Sequence, residues 1–240
     1  MPGPFFLQSH VFICRGQRHW VILDVNRDKY LCVDRCQFEA LGPSLQGWEE
    51  STSLSKPDAA PVPGEAVALA NNLLDLDILS DRATHAKDAR PTAYPLPTEA
   101  IDPNSPVCAR RSSGAHAGSF FLSSARASRE LRRQRFQLIV AAVRARKSRN
   151  AGRAGRPDFE RARSLVSVFE RLRWFFPRSY LCLFDSLALI HFLARFDVYP
   201  DWVFGVNADP FEAHCWVQAG NVVLNDTVAR VAAFTPIMYV

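Results

Sequence analysis

The stretch FEAHCWVQAGNVVLND, Phe211–Asp226, decides how the rest of the chain is read. It has the pattern of two adjacent strands joined by a tight AGN turn at 219–221. On the first strand His214, Trp216 and Gln218 share one face, and Ala213, Cys215 and Val217 share the other. The returning segment VVLND is expected to bring Asp226 beside His214. A carboxylate against an imidazole fixes the ring's tautomer and stabilises its protonated form, which leaves the second ring nitrogen for a third group.

That group is expected upstream. Cys182 opens CLFDSLALIHFLAR, a nearly all-apolar run of helical length. A thiol at a helix start meets unsatisfied backbone N–H groups and the positive end of the helix dipole, and both favour the nucleophilic thiolate. Taken singly, Cys182 reads as a small core residue and His214 as a structural histidine. Together, Cys182, His214 and Asp226 read as nucleophile, base and orienting acid. A nucleophile on a helix, followed by histidine and aspartate on successive strands, is the order of papain-like and transglutaminase-like thiol enzymes. The Cys182 N–H is an expected oxyanion donor. Gln218 is a candidate for the second donor, although its position equally suits an outward polar residue. Strand alternation sends Cys215 into the core. His191 reads as a core histidine, Asp185 as a helix-capping carboxylate, and Trp216 as a wall of the site.

The rest of the chain sets outer limits. Its 240 residues accommodate two domains, and 48% hydrophobic with 22% charged residues is ordinary for a globular protein. No apolar run approaches the roughly 20 residues that span a bilayer. The start, MPGPFFLQSHVFIC, lacks a basic segment followed by a long apolar one, so no signal peptide, no membrane association and a cytoplasmic location are expected. Six cysteines, at 14, 32, 36, 108, 182 and 215, contain no C-x-x-C pair, and no metal site is expected. The net charge of +5 is uneven: residues 126–156 hold eleven Lys/Arg and a single acid, Glu130. With no zinc-finger spacing, aromatic RNA-binding stretch or P-loop beside it, this run reads as a solvated helix face, and nucleic acid is not expected as a partner.

Along the chain, HVFIC (10–14), HWVILDV (19–25) and DKYLCVD (28–34) alternate as three short strands. Asp34 is placed to cap a short helix, and GEAVALANNLLDLDILSD sets Val67, Ala70, Leu73, Leu74 and Ile78 near helical spacing. Three strands followed by helices make a winged-helix-like module over 1–86. Residues 87–122, rich in proline, serine and glycine, read as a linker. The remainder, 123–240, reads as a second domain with helices over 123–149 and 158–173, the helix from Cys182, and a strand DWVFGV at 201–206. The fold class is α+β.

CLFDSLALIHFLARFDVYPDWVFGV (182–206) and PFEAHCWVQAGNVVLNDTVARVAAFTPI (210–237), with their AHCWVQ, LND and FTPI segments, resemble the B protein of lasso peptide biosynthesis, a leader peptidase with a transglutaminase-like core. The family's triad falls on Cys182, His214 and Asp226. The N-terminal module is similar to the family's PqqD-like precursor-recognition element. The resemblance implies a cysteine peptidase that removes the leader of a precursor peptide, freeing the core peptide for a separate asparagine-synthetase-like cyclase. No cofactor is evident in the residues, while the family implies ATP dependence. The other readings are a transglutaminase-type acyl transferase and a non-catalytic peptide-binding protein. A small module reads several residues of a peptide economically by adding it to a sheet edge. The candidate edge is the third strand, with Leu31 and Val33 toward the core, Tyr30 and Cys32 on the other face, and Leu73 on the helix walling the groove.

Overall fold

The computed structural model describes residues 4–48, 63–84, 86–102, 114–150, 159–176 and 181–240. The chain divides into two compact units, one of residues 1–93 with 206–212, the other of 94–205 with 213–240. Helices and sheets occur in both, so the protein is α+β.

In the first unit β2 (Val11–Arg15), β3 (His19–Asp24) and β4 (Lys29–Asp34) form an antiparallel meander in that order, with β4 at the edge. Trp20 lies opposite Val33 and Ile22 opposite Leu31, so these four share the face that meets the helices. The Asp34 carboxylate accepts from the backbone N–H groups of Cys36 and Gln37, at 2.8 and 3.3 Å, and starts α1 (Arg35–Leu41). A second small sheet sets β1 (Phe6–Gln8) between β5 (Leu79–Ser80) and β6 (Ala86–Lys87). Phe38 of α1 packs against Trp20, with ring centroids 5.1 Å apart. Helix α2 (Pro63–Asp75) contributes Ala70 and Leu73 to the same core.

The module departs from its sequence reading in α2. The helix ends at Asp75, so Ile78 enters the core from beyond it, after Asp77 has taken a positive φ of 53°. Val67 is 62% exposed, because the apolar stripe narrows to the positions that face α1 and the sheet.

The second unit packs helices on a five-stranded sheet. Its order is β11 (Thr235–Tyr239), β8 (Asp201–Ala208), β9 (Phe211–Ala219), β10 (Val222–Val223), β7 (Glu99–Ala100). The helices are α3 (Gly114–Arg133), α4 (Phe136–Asn150), α5 (Phe159–Arg173), α6 (Cys182–Ala194) and the short α7 (Val228–Val231). Helix α6 is the central one, buried from Ser186 to Leu193. A polar knot ties it to α3 and α4: Arg146 donates to His191 Nδ1 at 3.0 Å, which leaves His191 Nε2–H to donate to Glu130 at 2.7 Å. Arg126 completes the cluster on Glu130 at 2.7 Å. His191 is thus a core histidine with both nitrogens satisfied.

Two expectations are corrected here. The segment read as a linker contains structure of its own. Glu99–Ala100 runs parallel to β10, because the backbone N–H of Ile101 bonds Val223 O at 2.9 Å, and α3 begins at Gly114 among small residues that carry no apolar signal. The single helix expected over 123–149 is two helices, interrupted at Gln134 and Arg135. The helix expected to start at Asp158 is described only from Phe159; Asp158 lies outside the described residues. Among those residues no helix is long and apolar enough to cross a membrane.

Candidate active site

The site is assembled at the N-terminal end of α6. There Asp185 reaches back to accept the backbone N–H of Leu181 at 3.0 Å, and buried Arg173 of α5 donates to its other oxygen at 2.5 Å. This acid in the first turn secures the helix start and complements its dipole, as its position suggests. Cys182, the first residue of the helix, sits at the exposed mouth of a cleft of about 210 Å³.

Strand β9 supplies the second wall. The turn that ends it uses Gly220 at a φ of 61°, which a residue with a Cβ would adopt only under strain. The returning strand is only two residues long, Val222–Val223, shorter than the VVLND strand expected. Asp226 therefore lies in the irregular segment before α7. Its backbone anchor is its own side chain, which accepts the Thr227 N–H at 2.7 Å. The expected meeting with His214 nonetheless occurs: His214 Nε2 and Asp226 Oδ2 are 2.6 Å apart. With Nε2 engaged by the carboxylate, Nδ1 is the nitrogen left for Cys182, which lines the same cleft.

The electrostatics follow from these contacts. The Cys182 thiol is held at about 4, first by a hydrogen bond from the Cys215 side chain, then by one from His214, against the opposing effect of burial. Burial by itself would drive the His214 imidazolium down, but its bonds to Asp226 and Cys182 outweigh that and raise it to about 9. Asp226 lies below its ordinary value despite burial, because His214 and the Thr227 N–H stabilise its charge. Both shifts favour a thiolate on Cys182 and an imidazolium on His214.

Other expectations need revision. Trp216 is 0% exposed and bonds Gln218 Oε1 at 2.8 Å through its indole N–H, while its ring lies 6.0 Å from that of His214. It backs the histidine from within the core and lines no part of the cleft. Gln218 is equally buried, with its amide donating to Pro95 O and Gly220 O at 2.9 and 2.8 Å, so it is no oxyanion donor. Cys215 is buried but not remote: it lines the same cleft as Cys182. Strict alternation placed it on the face away from His214, yet both border the same cleft. Glu170 of α5 also lines the cleft, and burial pushes its carboxyl up to about 7. No motif in the sequence marks it.

Of the residues expected at the sheet edge, Leu31 and Val33 pack on the core of the first unit, Tyr30 is half-buried and Cys32 exposed. Leu73 is 3% exposed inside that core, so it supports the module and presents no groove surface.

No curated protein and no solved structure matches this chain. The cleft's own residues, from Phe169 to Arg230, all fall within a stretch that a family describes: residues 121–239 match the family model of the transglutaminase-like superfamily. The C-terminal part of this chain is a transglutaminase-like domain.

Proposed function

We propose that the chain is a cysteine peptidase that removes the leader from a ribosomally made lasso peptide precursor, with the N-terminal unit docking the leader and the transglutaminase-like domain cutting it. The observation that carries the chemistry is the 2.6 Å contact of His214 Nε2 with Asp226, which leaves Nδ1 for a Cys182 thiolate at a helix start. The precursor, its leader and an asparagine-synthetase-like cyclase enter through the resemblance of 182–237, and β4 is an edge strand of its sheet among the described residues, where an extended peptide could add.

In the proposed reaction the Cys182 thiolate attacks the last carbonyl of the leader. Negative charge develops on that oxygen, and the Cys182 N–H at the start of α6 faces it. His214 gives its Nδ1 proton to the leaving amine as the C–N bond breaks, so the core peptide departs with a free amino terminus and the leader remains as a thioester. Neutral His214 then takes a proton from water, whose oxygen attacks the thioester, and the thiolate is expelled with the imidazolium restored. Asp226 holds the ring in the required tautomer throughout.

A transglutaminase-type transfer would instead form the thioester on a glutamine side-chain carboxamide, with ammonia as the leaving group, and then use an amine in place of water. Mass spectrometry of a synthetic precursor incubated with the full chain separates the two. Hydrolysis yields leader and core whose masses sum to precursor plus one water, whereas transfer yields a product joined with loss of ammonia. An intact precursor in the presence of ATP and the cyclase would overturn the peptidase reading.

A further inference from the structure

We infer that Asn225 is a positioning residue for the catalytic pair: its amide, held between the Val217 N–H on β9 and Ser186 on α6, fixes the chain from which Asp226 reaches His214. The inference rests on the reading of Cys182, His214 and Asp226 as the site and names what holds the acid in place.

The ladder between the two strands shows why such a residue is needed. β10 pairs with β9 at Val222–Ala219 and Val223–Gln218. Continued in that register it would oppose Asp226 to Cys215, and opposed residues share a face of the sheet. Alternation gives His214 the other face, so a continuing strand would carry Asp226 away from its partner. The chain therefore has to leave the ladder before Asp226, and it leaves at Asn225. The Leu224 N–H still donates to Val217 O at 2.9 Å, as an antiparallel pair requires. The Val217 N–H, which in a continuing ladder would return that bond to Leu224 O, donates instead to Asn225 Oδ1 at 2.7 Å. A side chain takes the place of a backbone carbonyl, and the strand ends without orphaning a buried donor. Asp226 Oδ2 then meets His214 Nε2 at 2.6 Å.

The other end of the amide is also engaged. A backbone N–H can only donate, so the amide oxygen faces Val217 and Nδ2 is directed to Ser186 Oγ, to which it donates at 3.1 Å. Ser186 is 0% exposed and lies one turn beyond Cys182 on α6. Its hydroxyl donates to the Cys215 carbonyl, next in the chain to His214, at 3.2 Å. One amide and one hydroxyl thus join the three segments that carry Cys182, His214 and Asp226. The bond of Asp226 to the Thr227 N–H is local and ties the carboxylate to its own chain only. Catalytic groups need to be held within about 0.5 Å, and hydrogen bonds behind them supply that hold.

An asparagine that merely ends a strand would add stability and leave the histidine–aspartate contact alone once the chain is folded. A positioning asparagine acts through Asp226, so its loss is felt at His214 only while residue 226 carries its charge.

The test is an NMR titration of the His214 imidazole in the full-length wild type, Asn225→Ala and Ser186→Ala, each also made with Asp226→Asn. Thermal melts establish which variants are folded. The other charged or ionisable groups bordering the cleft, Glu170, Arg173, Cys182, Asp185 and Arg230, are the same in all of them. Asn225→Ala should lower the His214 midpoint by about one pH unit, a roughly tenfold weaker hold on the proton, the scale of one lost hydrogen bond. Ser186→Ala keeps the Val217 bond and should shift the midpoint the same way by less. With Asp226→Asn present, neither substitution should move the midpoint further. A wild-type midpoint in folded Asn225→Ala, or in Ser186→Ala should the first variant not fold, would overturn the inference, as would a shift of equal size in the Asp226→Asn background. A wild-type His214 that titrates like an ordinary histidine would instead overturn the pairing with Asp226 on which the site itself rests.

Discussion

Asp226→Asn isolates what the carboxylate does for the site. The substitution keeps shape and an acceptor for the Thr227 N–H, but removes the charge 2.6 Å from His214 Nε2. A hydrogen bond to a charged group contributes about 1.5–3 kcal/mol, and one pH unit corresponds to about 1.4 kcal/mol, so the imidazolium should lose about one to two units. From about 9 in the native site, its titration should fall to roughly 7–8. Arg230, whose guanidinium lies 3.8 Å from Asp226, would then be an uncompensated cation near the ring and push the same way. The base whose value is raised in the folded chain is protonated below that value, so the variant should lose its competent form from the alkaline side. The alkaline limb of kcat/KM moves down while the acid limb moves little. Peak activity should also fall, by about two to four orders of magnitude, because an asparagine amide facing Nε2 favours the wrong tautomer. The assay is kcat/KM against pH on precursor, paired with an NMR titration of His214 that needs no substrate. An unchanged His214 titration in a folded variant would refute the reasoning.

Cys182→Ala should leave thermal stability within about 1 kcal/mol of wild type, since an exposed helix start loses little packing, and should abolish precursor cleavage; cleavage at the wild-type rate would remove the cysteine mechanism. The buried Glu130 carboxylate is held at about 2 by His191 and Arg126 in spite of burial. Because its unfolded value is about 4.5, its stabilising contribution is present above that pH and is lost as pH falls toward 2. Glu130→Gln should therefore lower stability at neutral pH and flatten the acid slope of urea unfolding midpoints, and an unchanged slope would count against the buried knot. At the sheet edge, Leu31→Pro, with fold verified by circular dichroism, should weaken binding of a labelled leader strongly, and Tyr30→Ala should raise its Kd about tenfold, or roughly 1.4 kcal/mol. Unchanged anisotropy titrations for both would exclude β4 as the docking edge.

Much of the local architecture could be read from the letters. The three-strand meander, the Asp34 cap and the helix from Cys182 appear where alternation, capping chemistry and apolar periodicity put them. Those signals are local, and each is set by residues within a few positions of one another. The pairing of His214 with Asp226 was also legible, because a tight turn at Gly220 limits where the returning chain can go. The misreadings share a different origin. Glu99–Ala100 joins a sheet through a partner more than a hundred residues away, and a two-residue strand has too short a pattern to declare itself. Gln218 and Trp216 look like surface and wall, yet satisfy each other inside the core.

The sequence by itself singled out the proposed nucleophile, base and acid, and the helix end at which the thiol lies, because chemistry of that kind demands particular residue types at particular element ends. It did not determine which face of β9 meets α6. Alternation assigns Cys215 and His214 to opposite sides of a strand, but the packing of a helix start across the strand brings both to the cleft that Cys182 lines. Glu170 entered the cleft in the same way, through the lie of α5 against α6. Element periodicity is a one-dimensional property, whereas the neighbours of a sulfur atom are set by how elements cross, and that crossing is written in no short stretch of the chain.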